Sequence, residues 1–316
     1  MTAQVHFSMD AAQGRFGPCA LTIGNFDGVH RGHQTLLKAT CDYAREHQLH
    51  PAVLTFHPHP AVFVAPHRVP ELICSLEDRV RLLIEAGAER ILVLPFNEHL
   101  AQFTAQEFVS QIIVKGLHAQ AVIVGENFRF GHRQSGTTGT LAELGNTHDF
   151  AAQFLPCVSY RGRVVSSSEV RKCIDAGKVS LAGRLLNRCF FLQGDVVKGQ
   201  GIGSTQTVPT LNLNPPKGQI IPRGVYITET LETSTGRLWP SITNVGTRPT
   251  FDGADVTVET FLLAPLEGLS PTHIRVNFRR FVRHEQYFAD AAALKTQIIR
   301  DVGRAKAFWR RVLLSA

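Results

Sequence analysis

No apolar run in the 316-residue sequence approaches the roughly 18 to 20 residues of a bilayer-crossing helix; Ile91 to Phe96 is typical of the longest. No membrane partner is expected. The opening MTAQVHFSMD has no basic segment followed by an apolar one, so no secretory leader is read and a cytoplasmic location is expected. The six cysteines (Cys19, Cys41, Cys74, Cys157, Cys173, Cys189) form no CxxC pair and have no histidine at ligand spacing beside them. That argues against a disulfide framework or a structural zinc and for buried free thiols. There is no internal repeat and no low-complexity tract. Hydrophobic residues make up 44% and charged residues 19%, which excludes a disordered chain. The length suits two domains rather than one.

The net charge of +7 is unevenly placed. Residues 1 to 187 carry 17 Lys and Arg against 16 Asp and Glu, and residues 188 to 316 carry 16 against 10. The excess gathers at Arg275, Arg279, Arg280 and Arg283 and along Lys295 to Arg311. A solvated helix face or a phosphate-bearing small substrate accounts for it, and no nucleic-acid partner is expected.

In the first half short apolar runs alternate with helical patterns, the signature of strand-helix-strand units and a parallel sheet. CALTIG (19 to 24), Ala52 to Phe56, ILVLPF, AVIVG (121 to 125) and QFLPCVSY read as strands. Helices are expected over Arg31 to Gln48, around Leu76 to Ala86, around Ala105 to Val114 and from near Ser167. Beyond about Asn187 short alternating runs broken by Gly, Pro and Thr argue for an antiparallel barrel or sandwich. A closing helix from Ala289 to about Leu314 aligns Leu294, Ile298, Val302 and Ala305 in one stripe. The fold class is therefore α/β with a parallel sheet, then an antiparallel β domain with a terminal helix, divided as 1–187 and 188–316.

GNFDGVHRGH joins the first strand to the first helix. A Gly-bearing turn feeding a helix N-terminus leaves backbone N–H groups free for phosphate, with Gly24, Phe26 and Gly28 in the turn. His30 and His33 sit three apart, so both imidazoles share a helix face at its electropositive end. That suits transfer at phosphorus, where charge grows on non-bridging oxygens. By itself the spacing is equally that of two histidines capping a helix, and a zinc pair lacks a nearby third ligand. VGENFRFGHRQSG (124 to 136) places Asn127 after a strand end, where the ligand crevice of an open parallel sheet lies. VSSSEVR (165 to 171) offers Ser166 and Ser167 before a helix and Arg171 as a planar fork for pyrophosphate; a plain N-cap is the alternative.

Together these three pieces resemble the adenylyltransferase branch of the HxGH nucleotidyltransferases, with HRGH as the histidine motif and SSSEVR as the Ser/Thr-rich loop ending in Arg. They are most similar to the N-terminal module of the prokaryotic bifunctional riboflavin kinase/FMN adenylyltransferase (FAD synthetase) family. TFHPHP (55 to 60), QEFV (106 to 109) and GENFRFG extend the resemblance over most of residues 15 to 187.

In the second half GDVVKGQGIGSTQTVPTLNL (194 to 213) packs Gly199, Gly201 and Gly203 into a loop able to lie close over phosphates. Thr210 and Asn212, two apart on a strand, point to one face and carry neutral oxygens suited to a largely hydrated magnesium ion. Glu259, mid-strand between apolar neighbours, is a candidate general base or an ordinary surface carboxylate. With NVGTRPTF (244 to 251), VTVETFLL (256 to 263) and FVRHEQYF (281 to 288), these segments are similar to the riboflavin kinase module. The resemblance implies a riboflavin kinase-like barrel, Mg²⁺ and ATP at Thr210 and Asn212, Glu259 as base for the ribityl hydroxyl, and Arg283 at the flavin. Lys198, Ile202, Thr207 and Val208 depart from the family's usual His, Arg, Gly and Phe, and an LYG-like element after VETFLL is missing.

The implied function is phosphorylation of riboflavin to FMN followed by adenylylation of FMN to FAD, both from ATP. The competing readings are a single-activity adenylyltransferase with an impaired kinase module and a non-catalytic flavin- or RNA-binding module.

Overall fold

The computed structural model describes residues 3–197, 210–250 and 253–314, without the side chains of 247–250, 253–255 and 313. They form two compact units, Met1–Ser167 and Ser168–Ala316, dividing ahead of the change in sequence texture near Asn187. The first unit holds a sheet of β1 (Gln4–His6), β2 (Cys19–Ile23), β3 (His50–His57), β4 (Arg90–Pro95), β5 (Ala119–Gly125) and β6 (Ala151–Leu155). Every pairing is parallel, in the order β1-β4-β3-β2-β5-β6. The order reverses at β2: β3 lies on one side and β5 on the other. Their carboxyl ends thus open a crevice at a topological switch point.

Helix α1 (Arg31–Glu46) follows β2 and buries Leu37, Thr40 and Ala44. Helix α2 (Leu76–Glu85) is capped by Ser75, whose hydroxyl accepts from Asp78 N–H, and buries Leu82 and Leu83. The segment expected as a helix near Ala105 to Val114 is helical, and Phe108–Gly116 is wound as a π-helix. Helix α3 (Thr138–Thr147) was not expected; Thr137 caps it through Thr140 N–H. The run QFLPCVSY is divided, because Pro156 lacks the N–H a strand needs. After β6, a small ribbon of β7 (Ser159–Tyr160) and β8 (Arg163–Val164) precedes α4 (Ser167–Asp175). Both faces of the sheet are apolar: Leu21, Leu54 and Val122 lie in one core cluster, and Val53, Ile91 and Leu37 in another.

In the second unit α5 (Val179–Leu186) packs on a closed antiparallel barrel. Its strands are β9 (Phe190–Val197), β10 (Thr210–Leu213), β11 (Gly224–Glu232), β12 (Leu238–Thr250), β13 (Gly253–Leu262) and β14 (His273–Arg283). They close in the order β10-β13-β12-β11-β14-β9. Alternation along β11 sends Val225 and Ile227 outward and Thr228 and Thr230 inward. Inside, Thr228, Thr230, Ser241, Thr243 and Thr260 are fully buried and bonded to one another at 2.7 to 3.1 Å. Outside, α6 (Ala291–Leu314) covers Val225, Ile227 and Ile242 with Val302, Ala305 and Trp309. Of the expected stripe, Leu294 is exposed, because the covering part of the helix begins later and runs on to Trp309.

The β11–β12 turn is tied by Glu232, whose carboxylate accepts from Thr235 N–H and Oγ1 at 2.6 Å and from Ser234 Oγ at 2.8 Å. Those bonds, led by the Thr235 hydroxyl, lower its pKa from 4.5 to about 2. A depressed folded pKa contributes stability above the unfolded value and loses it as pH falls toward the folded one. The stability difference between the wild type and Glu232→Gln is expected to be full above about pH 5 and to shrink from pH 4.5 to about 2. Urea unfolding at stepped pH measures it.

Candidate active sites

The residues between β2 and α1 adopt a tight, partly strained path. Phe26, Gly28 and Val29 have φ of 49°, 77° and 37°, and a β-branched residue at positive φ costs about 1 to 3 kcal/mol. What holds the path is Asp27, buried, whose carboxylate accepts from Ile73 N–H at 2.9 Å and Cys74 N–H at 3.4 Å. Ser167 Oγ donates to the Asp27 carbonyl at 2.9 Å, fastening a third segment to the same turn. Asn25 meets His59 of the HPHP segment at 3.2 Å, and its carbonyl accepts from Thr55 Oγ1.

His30 is the N-cap of α1: its Nδ1 accepts from His33 N–H at 3.3 Å. An accepting Nδ1 places the ring proton on Nε2, so neutral His30 offers an N–H donor from its other side. The His30 and His33 rings stack with centroids 3.6 Å apart and 15° between planes, and Phe26 meets His33 edge-on at 5.0 Å. Gly32 lets the stack form, since a Cβ there would lie 3.2 Å from His30 Nδ1. Two imidazoles are thereby presented at the dipole-positive end of a 16-residue helix, at the switch point of the sheet. Phe26 is fully buried, so its side chain is part of the core. Asn127 is exposed two residues past β5, and Gly24 directly follows β2, so both stand at the crevice side of the sheet. Ser166 precedes α4, and Arg171 lies one turn along that helix from Ser167.

In the barrel, register assembles the second cluster. Asn212 on β10 pairs with Glu259 on β13, and Glu259 pairs with Asn244 on β12, so the three share one face across adjacent strands. Thr210, two residues before Asn212, is on the same face beside Phe261. Its Oγ1 is buried with no hydrogen-bond partner among the described residues, an orphaned oxygen that fits a metal ligand. Thr210 and Asn212 match the neutral oxygen donors that magnesium takes when nucleotide phosphates and water complete its shell. Asn244 was not singled out from the sequence, although NVGTRPTF marked its segment; only the register reveals it as Glu259's neighbour. Arg283 is half-buried, with Nε donating to Asp301 of α6 at 2.7 Å and Nη1 to the His284 carbonyl. Arg275 and Arg279 are likewise engaged, with Gln193 and Glu229. Gly199, Gly201 and Gly203, with Lys198, Ile202, Thr207 and Val208, lie outside the described residues.

Comparison with known proteins gives two family matches in tandem: FAD synthetase over residues 13–169 and riboflavin kinase over 186–309. The bifunctional riboflavin kinase/FMN adenylyltransferase of Escherichia coli K12 is 37% identical over 92% of this chain and 93% of its own. The chain belongs to that family. The Pseudomonas fluorescens member is 36% identical over 92% of both chains. A crystal structure from Streptococcus pneumoniae, described as a macrolide-efflux protein, is 26% identical, covers 97% of this chain and 99% of its own, and superposes with a TM-score of 0.85. Among the described residues here no helix is long and apolar enough to cross a membrane.

At Gly28 a Cβ would lie 2.8 Å from Ile73 Cγ2, on a φ that disfavours any other residue. Gly28→Ala is expected to lower stability by about 1 to 3 kcal/mol, read as a fall in the urea midpoint at unchanged slope.

Proposed function

We propose that this bifunctional transferase phosphorylates riboflavin at the Glu259 cluster of residues 188–316 and adenylylates FMN at the His30/His33 cluster of residues 1–187. The observation that carries the reading is that each family match contains one polar cluster of the chemistry its name requires.

In the kinase step Glu259 accepts the proton of the ribityl 5′-hydroxyl, whose oxygen attacks the γ-phosphorus of ATP; FMN and ADP are the products. Magnesium, when bound, would neutralise charge on the phosphate oxygens. Thr210 and Asn212 would hold it, and the loop of Gly199, Gly201 and Gly203 would cover the phosphates. Arg283, its plane fixed by Asp301, is assigned to the flavin. In the second step the FMN phosphate attacks the α-phosphorus of ATP and pyrophosphate leaves. The Nε2–H of His30 and the imidazole of His33 stabilise the charge that grows on the non-bridging oxygens. Gly24, Phe26 and Gly28 contribute backbone to the ATP site and Asn127 its amide, while Ser166, Ser167 and Arg171 assist the leaving pyrophosphate. Positioning and charge stabilisation suffice, with no covalent intermediate. ATP-dependent chemistry and six free cysteines go with a cytoplasmic location.

The division of labour is tested by chromatography of the products from riboflavin and ATP. His30→Ala or His33→Ala is expected to lower FAD formation roughly 10²- to 10³-fold and to leave FMN formation intact. Glu259→Ala should lower FMN formation roughly 10²- to 10⁴-fold while FAD still forms from supplied FMN. Loss of both activities from either substitution in a folded protein would contradict the assignment. For the metal, Thr210→Val is expected to raise the Mg²⁺ concentration that half-saturates FMN formation, with FAD formation from FMN retaining its wild-type Mg²⁺ dependence.

A further inference from the structure

At the edge of the parallel sheet, separated from β2 by β4 and β3, lies a cluster of positive charge that neither reaction uses. Gln4 on β1 pairs with Arg90 at the start of β4, and His6 lies two residues further along the face of Gln4. A pocket of about 430 Å³ is lined by Gln4, Val5, His6 and Arg15. Phe16 packs against the His6 ring with centroids 5.9 Å apart.

Among the described residues neither Arg15 nor Arg90 has an ion-pair or side-chain hydrogen-bond partner, and His6 Nε2 and Arg90 Nη1 are shut from solvent with none. Glu89, beside Arg90, is bonded to His50 at 3.0 Å, and Asp10, between His6 and Arg15 in the sequence, is exposed in the first turn of the short helix Met9–Ala12. Burial first, and then the two guanidinium groups, hold the His6 pKa below its ordinary value, which places all three side chains in one electrostatic neighbourhood. The chain also makes room for the arrangement: a Cβ on Gly17, at φ +52°, would lie 2.7 Å from Arg90 Nη1. His6 and Arg90 are half-buried and Arg15 is exposed, so each side chain still meets solvent beside its sealed atom.

We propose that His6, Arg15 and Arg90 form a binding site for a small phosphate-bearing anion, distinct from the nucleotide crevice. Two permanent guanidinium charges and an imidazole match a phosphate dianion better than a monocarboxylate. The site sits by the amino ends of β4 and β2, where Arg90 and Gly17 lie, whereas the crevice is at the carboxyl ends. Occupation therefore leaves the crevice of the same sheet, with His30 and His33, accessible.

The test titrates inorganic phosphate into the full chain and follows the His6 imidazole by NMR, with sodium chloride at matched ionic strength as control and sodium acetate as the carboxylate arm. A saturable shift of the His6 resonance is expected with phosphate and not with chloride. Loss of one charge-assisted contact should weaken the affinity at least about tenfold in Arg15→Gln and in Arg90→Gln. Arg15 is exposed on a turn, so its replacement keeps the fold and decides the matter even if Arg90→Gln disturbs the sheet edge. Failure of phosphate to move His6 saturably, an unchanged affinity in Arg15→Gln, or equal binding of acetate overturns the proposal. FAD and FMN formation by Arg15→Gln should equal wild type, so the outcome is independent of the catalytic assignment.

Discussion

The carboxylate of Asp27 takes two backbone N–H groups from Ile73 and Cys74, and the carbonyl of the same residue takes the Ser167 hydroxyl. Those bonds fix the path from β2 into α1, and through it the position of His30 and His33. A buried carboxylate without such donors would cost several kcal/mol; with them it becomes the fastening that sustains positive φ at Phe26 and Val29. The histidine stack rests on that backbone. His30 can cap the helix because the turn delivers it at extended φ and ψ, and the cap in turn settles which ring nitrogen carries the proton.

The barrel reaches its site by another route. Around Glu259 three strands of the second unit are held in register, and Asn212, Glu259 and Asn244 fall in line. The interior behind them is polar, with five hydroxyl side chains that satisfy one another. Such a network is worth having only if complete, because each hydroxyl left alone would cost roughly 1 to 3 kcal/mol. It therefore specifies the strand register that the outer cluster needs.

How much of this was legible in the sequence follows from the range of the interactions. Strands such as CALTI and helices such as α1 are set by local periodicity, and the alternation before and after Asn187 foretold two architectures. Helix α3 escaped notice because TGTLAELGNT combines three threonines and two glycines, weak helix formers, and is secured by a threonine cap and the burial of Leu141. Leu294 was misplaced because a stripe in a sequence does not say where along the helix the partner surface begins. His30, His33, Thr210, Asn212 and Glu259 were readable as motifs. Asn244 as Glu259's neighbour, and Asp27 as the fastening, depend on partners 15 and 46 residues away, and no local pattern records them.

Ser167 lies 140 residues beyond the turn it fastens. A chain emerging from the ribosome exposes β2, α1 and β3 long before Ser167, so the loop at the head of α1 cannot be fully tied until synthesis has passed α2 and then β8. Nascent fragments ending before that serine carry the histidine motif without its last brace. Completion of that turn is accordingly a late event in biogenesis.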